Sequence, residues 1–311
     1  MTVTPSSTRA LLDSAPSTDS SSTIARRQLG RYLRDWRTQA GLTIADAARL
    51  MEWGATTLQR LEKGQADRLR TIDIQELCRI YGIPDETREA LAGLAKQRPG
   101  NSWWHAFGEL IPAGFDIYAG VEATARELFC YQSELVPGSM QTPDYARALL
   151  RHLTAEVDEE EIERRVQARM QRQAALTRKV APVHADVVLH EAVLRRMVGG
   201  PKVMAGQLRH LADLSTRSTI GVRVLPFAAG MPLGEPTGPF TVLCFDGEGR
   251  GKRADPPIVH VPGFTGDLYL ERGVDVQRFL AAHECLRRCA LDVQAGRRLL
   301  RELAKDYTSA L

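Results

Sequence analysis

The 311-residue sequence lacks any long apolar run. A membrane-spanning helix needs roughly 18 or more consecutive apolar residues, so no such helix is expected. The first residues have neither a basic start nor an apolar stretch, so no secretory leader is expected there. Cysteine is sparse: Cys78, Cys130, Cys244, Cys285 and Cys289 are scattered and odd in number. That excludes a disulfide framework and fits reduced thiols in a cytoplasmic protein. No internal repeat occurs. The glycine-rich pieces, Gly199-Gly200 and Gly247 to Gly251, match neither a phosphate-loop nor a dinucleotide pattern. Gly199-Gly200-Pro201 reads more simply as a turn into a helix.

What is present is an ordinary globular composition, 43% hydrophobic and 25% charged, in a chain long enough for two domains. The net charge of +3 is unevenly spread. Between Thr23 and Arg70 ten basic residues face five acids, so that segment carries +5 and the remainder −2. Concentrated positive charge is the electrostatic footprint of a polyanion binder, although a solvated basic helix has the same signature. Residues 1–23 are rich in Ser and Thr with few large apolar side chains. They read as a disordered tail, because too little surface can be buried to offset the ordering entropy.

Residues 24–99 read as five short helices. Leu29, Leu33 and Trp36 recur at helical spacing through 24–39, and Gly41 ends that helix. Thr43 is positioned to cap a second helix to about Met51. A third spans 55–63 before Gly64, a fourth runs from about 73 to 81, and a fifth from about 85 to 97. Pro99-Gly100 marks the boundary with a second domain, 100–311. There helices are expected near 143–153, 159–176, 203–214, 274–291 and 293–307. Strands are expected at 183–189, 220–225, 240–245, 258–261 and 268–270, and a flexible loop at 247–257. Acidic residues begin and basic residues end the 159–176 helix, as its dipole favours. The predicted fold class is an all-α helix-turn-helix N-terminal domain followed by an α+β C-terminal domain with a mixed or largely antiparallel sheet.

Leu29-Gly30-Arg31-Tyr32-Leu33-Arg34, Gly41-Leu42-Thr43, Ala47-Ala48 and Thr57-Leu58-Gln59-Arg60-Leu61-Glu62-Lys63-Gly64 together resemble the Xre/Cro family of helix-turn-helix regulators. Ala48 is small where two helices must approach, and Leu50, Leu58 and Leu61 are expected in one core. Ala55, Thr56, Thr57, Gln59 and Arg60 remain for the outer face of the third helix. The resemblance implies that this helix enters the major groove of double-stranded DNA. Arg60 suits guanine and Gln59 adenine. Arg27, Arg31, Arg34, Arg68 and Arg70 are the candidate phosphate contacts. The competing reading is a five-helix domain that binds protein. One departure from the family stands in the turn between the two motif helices: Glu52 replaces the glycine that many members use for a positive φ.

In the second domain Leu135-Val136-Pro137-Gly138, Gln141-Thr142-Pro143-Asp144-Tyr145-Ala146, Val198-Gly199-Gly200-Pro201, Val224-Leu225-Pro226-Phe227, Gly238-Pro239-Phe240 and Gly266-Asp267-Leu268-Tyr269-Leu270-Glu271 are similar to WhiJ-like regulators, an actinobacterial Xre subfamily. That resemblance implies a regulator of development or secondary metabolism, often encoded beside a small partner protein. Residue chemistry gives weak support to catalysis. His184, His190 and Glu191 fall near one strand end without a nucleophile or third ligand. Cys285 and Cys289, with His283 nearby, lack a second zinc-binding cluster and read as buried thiols. No cofactor, metal or enzymatic activity is expected. Tyr131, Gln141, Tyr145, Phe227, Asp267 and Tyr269 form an aromatic and polar set suited to a ligand or partner, although for any single residue a half-buried core role, as for Tyr145 and Tyr269, is the favoured reading. The expectation is a homodimeric, operator-binding regulator with a modulating second domain. The alternatives make that domain a nucleotide- or metabolite-processing enzyme, or a protein-binding adaptor.

Overall fold

The arginine-rich segment is helical in the computed structural model, as its leucine spacing predicts, with α1 at Thr23–Gln39. The structure describes residues 23–66, 70–95, 117–153, 158–178, 181–245, 256–264 and 266–309. The tail at 1–22, Arg68, the Pro99-Gly100 boundary and most of the 247–257 loop lie outside them. The chain divides into two compact units. One is Met1–Thr124 with Gly247–Ile258 and Gly263–Val276; the other is Ala125–Asp246 with Val259–Pro262 and Gln277–Leu311.

In the first unit α1 is followed by α2 (Ile44–Leu50), α3 (Ala55–Glu62), α4 (Thr71–Ile80), α5 (Asp85–Ala95) and α6 (Ile117–Glu122). Thr43 caps α2: its Oγ1 accepts from the Asp46 amide at 3.1 Å, satisfying one of the donors left over at a helix start. Leu29, Leu33, Leu58, Ile74 and Leu77 are fully buried. Each contributes about 1.5–3 kcal/mol by leaving water. Leu50 departs from the predicted core set. It is 55% exposed, because it closes the last turn of a seven-residue helix whose buried residues are Ala47 and Ala48. Gly30 sets the approach of α1 to α3: a Cβ there would stand 2.4 Å from the Leu61 carbonyl oxygen. The helix α6 is not among those the sequence predicts; at six residues it is too short for apolar periodicity to mark it.

Most of a mixed sheet lies in the second unit, while Ile258 of its fifth strand and all of its sixth strand belong to the first. The strands are β1 (Glu127–Gln132), β2 (His184–His190), β3 (Ile220–Leu225), β4 (Phe240–Cys244), β5 (Ile258–Val261) and β6 (Leu268–Leu270), in the order β3-β2-β1-β4-β5-β6. β1 is parallel to β2, in the register Cys130 opposite Val187, and antiparallel to β4, with Phe129 opposite Val242. β2 is parallel to β3. The α+β class is therefore correct, and the sheet is mixed. The five sequence-predicted strands are all present, but β1 was missed, although two strands pair with it. Glu-Leu-Phe-Cys-Tyr-Gln is short and lacks flanking turn residues on its N-terminal side, and strand propensity is weak without its partners.

The helices of the second unit are α7 (Pro143–Leu153), α8 (Glu159–Arg172), α9 (Ala174–Thr177), α10 (Glu191–Arg195), α11 (Pro201–Leu214), α12 (Gly273–Cys289, which begins in the first unit) and α13 (Val293–Ser309). The charged helix expected over 159–176 breaks at Gln173, which is the C-cap of α8 and precedes α9. Asp158 caps α8, accepting from the Glu161 amide at 2.7 Å. Pro201 opens α11 after Gly200 at φ 89°, as the Gly199-Gly200-Pro201 pattern predicts. Met204, Leu208, Leu211 and Ala212 form the buried stripe of α11. No helix among the described residues is long and apolar enough to cross a membrane.

Candidate nucleic-acid interface

The third helix is held from behind and open in front. Leu58 and Leu61 are its buried apolar residues. Glu62, on its last turn, is also buried and accepts two hydrogen bonds from Arg37 of α1, from Nε at 2.6 Å and from Nη2 at 3.0 Å. Arg37 Nη1 donates to the Leu42 carbonyl at 2.6 Å. A bidentate guanidinium–carboxylate pair fixes orientation as well as distance. Hydrogen bonding to Glu62 holds the Arg37 guanidinium's pKa above its usual value, against the opposing effect of burial. This pair escaped sequence reasoning, where Arg37 counted only as basic charge. Arg37 and Glu62 are 25 positions apart, so only packing brings them together.

The turn before α3 has the shape the family's glycine implies. Glu52 adopts φ 56°, its amide donates to the Arg49 carbonyl at 3.1 Å, and the Trp53 amide donates to Ala48 at 2.8 Å. The chain thus accepts a left-handed residue with a Cβ, and α3 still starts at Ala55. Ala55, Thr56, Thr57 and Gln59 are exposed on the open face. Arg60 is half-buried, with Nη2 donating to the Gln65 carbonyl at 3.1 Å.

The five phosphate candidates fall in different settings. Arg34 is exposed on α1. Arg70 is exposed but paired with Asp73 through two hydrogen bonds of 2.8 Å. Arg27 Nη1 donates to Thr124 Oγ1. Arg31 is also exposed, and its guanidinium lies against α6, where a Cβ on Gly120 would come within 2.6 Å of its Nη1. Arg68 lies outside the described residues.

This geometry is a helix-turn-helix with its second motif helix presented outward, and the comparison with known families agrees. Residues 28–91 match a helix-turn-helix domain, and residues 115–302, more than half the chain, match a domain of unknown function, DUF5753. The chain belongs to the DUF5753 family. Comparison with curated proteins finds no match. The helix-turn-helix match and the open face of α3 make this DUF5753 protein a DNA-binding regulator in outline.

Within the DUF5753 region, the aromatic and polar candidates occupy separate places. Gln141, in the loop after β1, and Tyr145, in the first turn of α7, are both buried. Gln141 Nε2 donates to the Val136 carbonyl at 2.7 Å, and its Oε1 accepts from Arg169 Nη1 at 2.8 Å. The Tyr145 hydroxyl accepts from the Val136 amide at 3.5 Å; burial raises its pKa. Gln207 of α11 completes the loop's support, accepting from the Thr142 amide at 2.7 Å and donating to the Met140 carbonyl at 2.8 Å. The side chains of Gln141 and Gln207 thus satisfy backbone groups of a buried loop. Tyr131 is buried on β1 beside Phe240, with ring centroids 5.9 Å apart. Phe227 is the exposed aromatic of the set at 54%, resting edge-on against His190 at 5.1 Å. Asp267 accepts from the Gly263 amide at 3.4 Å, and Tyr269 is buried.

Several of the remaining chemistry-bearing residues have structural partners. His190 caps α10 through Nδ1, and Glu191 accepts from the Phe227 amide at 3.0 Å while pairing with Arg195. His184 is exposed. His283 is buried, and its Nε2 faces the Asp186 carbonyl at 3.1 Å. Burial lowers the imidazole's pKa below its ordinary value. Cys289 corrects the expectation of two buried thiols: it is exposed at the end of α12, and Cys285 is half-buried. Among the described residues no group of three or more His, Cys, Asp or Glu is arranged to hold a metal ion.

Proposed function

We propose that this protein is an Xre-type transcription regulator that reads a specific operator with α3, and that its DUF5753 domain modulates binding by receiving a small partner protein or ligand. The observation that carries the reading is the two-sided construction of α3. Ala55, Thr56, Thr57 and Gln59 are exposed on a helix anchored by Leu58, Leu61 and the buried Arg37–Glu62 pair. Side chains fixed in this way present a rigid pattern to base edges, and rigidity is what direct readout needs. One such helix makes few base contacts. The reading therefore includes a homodimer on a pseudo-palindrome with half-sites about 10–10.5 bp apart or a multiple of that spacing. It also places the protein in the cytoplasm, with recognition rather than catalysis as the second domain's task. The partner reading draws on the resemblance to WhiJ-like regulators and on the exposed Phe227.

The experiment is a titration of a duplex, selected from a random pool by the full-length protein, and of scrambled versions of it. Arg60→Ala should cost about 1–3 kcal/mol on the selected duplex and relax base choice at one position. Arg34→Ala should weaken all sequences nearly equally and flatten the salt dependence by about 0.9 in the log–log slope. Identical behaviour of both variants and the wild type refutes the assignment of this face to DNA.

A further inference from the structure

Two of the five basic side chains assigned to phosphate are held by α6. Arg27 and Arg31 lie four residues apart, on one face of α1. Arg27 donates through Nη1 to Thr124, two residues beyond the end of α6. The Thr124 hydroxyl in turn donates to the Val121 carbonyl at 2.9 Å, which ties it to α6. Arg31 is exposed as a residue, but its guanidinium lies against Gly120, where even a methyl group would stand 2.6 Å from Nη1. Val121 and Glu122 are buried, so α6 is seated rather than loosely tethered. The backbone of Arg27 is close to the end of the reading helix: a Cβ on Gly64, two residues past α3, would stand 2.6 Å from Arg27 Cα.

The sequence position of α6 gives this contact its meaning. The DUF5753 match begins at residue 115, before α6. The helix nevertheless belongs to the unit that contains the helix-turn-helix, and the chain passes from Thr124 to Ala125 and then β1. The first helix of the family domain is thus built into the DNA-binding unit.

We propose that α6 and Thr124 form an autoinhibitory latch on α1 that keeps Arg27 and Arg31 from DNA phosphates until the DUF5753 domain withdraws it. This rests on the DNA-binding reading above. A partner that favours the withdrawn state shifts the equilibrium by its difference in affinity for the two states. Release adds up to two phosphate contacts. Those contacts are independent of sequence, so the latch tunes affinity and leaves base choice to α3.

The test uses the full-length protein and a random-sequence duplex, measured by fluorescence anisotropy from low to moderate salt. Gly120→Ala displaces Arg31 from α6 while giving the helix a better helix-forming residue. Thr124→Val removes one acceptor of Arg27. Each freed contact scales affinity as salt concentration to the power of about −0.9. Each variant should therefore bind about eightfold more tightly at roughly 0.1 M salt, with a slope steeper by about 0.9. Adding Arg31→Gln to Gly120→Ala should cancel the gain, whereas Arg31→Gln alone should leave the wild-type slope unchanged. Unchanged or weakened binding by Gly120→Ala and Thr124→Val, with circular dichroism melting retained, overturns the latch. If those variants unfold, Arg31→Gln alone decides: a flatter slope means that Arg31 already sits on phosphate, and overturns the proposal. Wild-type protein with no affinity for any duplex at about 0.05 M salt refutes the DNA-binding reading itself, a result distinct from failure of the latch.

Discussion

Replacing Glu52 with glycine should stabilise the first unit. At φ 56° this residue occupies the left-handed region, which costs an L-residue with a Cβ about 1–2 kcal/mol. Its side chain is exposed, so little packing is lost on removal. Glycine relieves the strain but loses more backbone freedom on folding, an opposing effect of about 0.5–1 kcal/mol. The net expectation for Glu52→Gly is about 0.5–1 kcal/mol of added stability, a two- to fivefold change in the unfolding equilibrium constant. Native-state hydrogen exchange of the slowest α1 and α3 amides reads the opening free energy of this unit apart from the rest of the chain. Glu52→Ala is the control, because it removes the charge and keeps the Cβ; it should stay within about 0.5 kcal/mol of wild type. Glu52→Asn should fall between, since asparagine tolerates the left-handed region better than other residues with a Cβ. Equal stabilisation by Ala and Gly would refute the conformational argument and assign the effect to charge.

Two further outcomes follow from buried polar groups. Glu62→Leu should destabilise the first unit by about 3–5 kcal/mol, because it leaves the Arg37 guanidinium buried without its carboxylate; the double variant Arg37→Met with Glu62→Leu should recover most of that loss in urea unfolding, and a double variant no better than the single one would remove the pair from the stability argument. For His283 the folded pKa lies below the unfolded value near 6.5, so the unfolded state binds the extra proton first. Its contribution is fully present above about pH 6.5 and declines as pH falls from there through the folded pKa. Urea midpoints of the second unit should therefore drop across that acid window, and His283→Gln should flatten the drop; an equally steep profile in the variant would refute the role of His283.

Apolar spacing and end signals already define much of this molecule in one dimension. Leu29 and Leu33 give α1 its buried face, Thr43 starts α2, and Gly41, Gly64 and Gly82 adopt φ 71°, 70° and 70° where helices end. Such features act within a few residues of chain, so they are legible before folding. The exposed set Ala55, Thr56, Thr57 and Gln59 was legible for the same reason: Leu58 and Leu61 mark the opposite face of one helix. Tertiary structure decided what depends on distant partners. It made Arg37 the mate of Glu62, turned Gln141, Tyr145 and Gln207 into supports for the 136–142 loop, and placed Arg27 and Arg31 against α6. It also made β1 a strand, since pairing with β2 and β4 supplies the backbone hydrogen bonds that its own six residues cannot. An arginine or tyrosine has the same letter whether it faces phosphate, a carboxylate or the core. Which of these it meets is fixed only when residues far apart in the sequence pack together, because burial makes an unpaired polar group costly and so selects the partner.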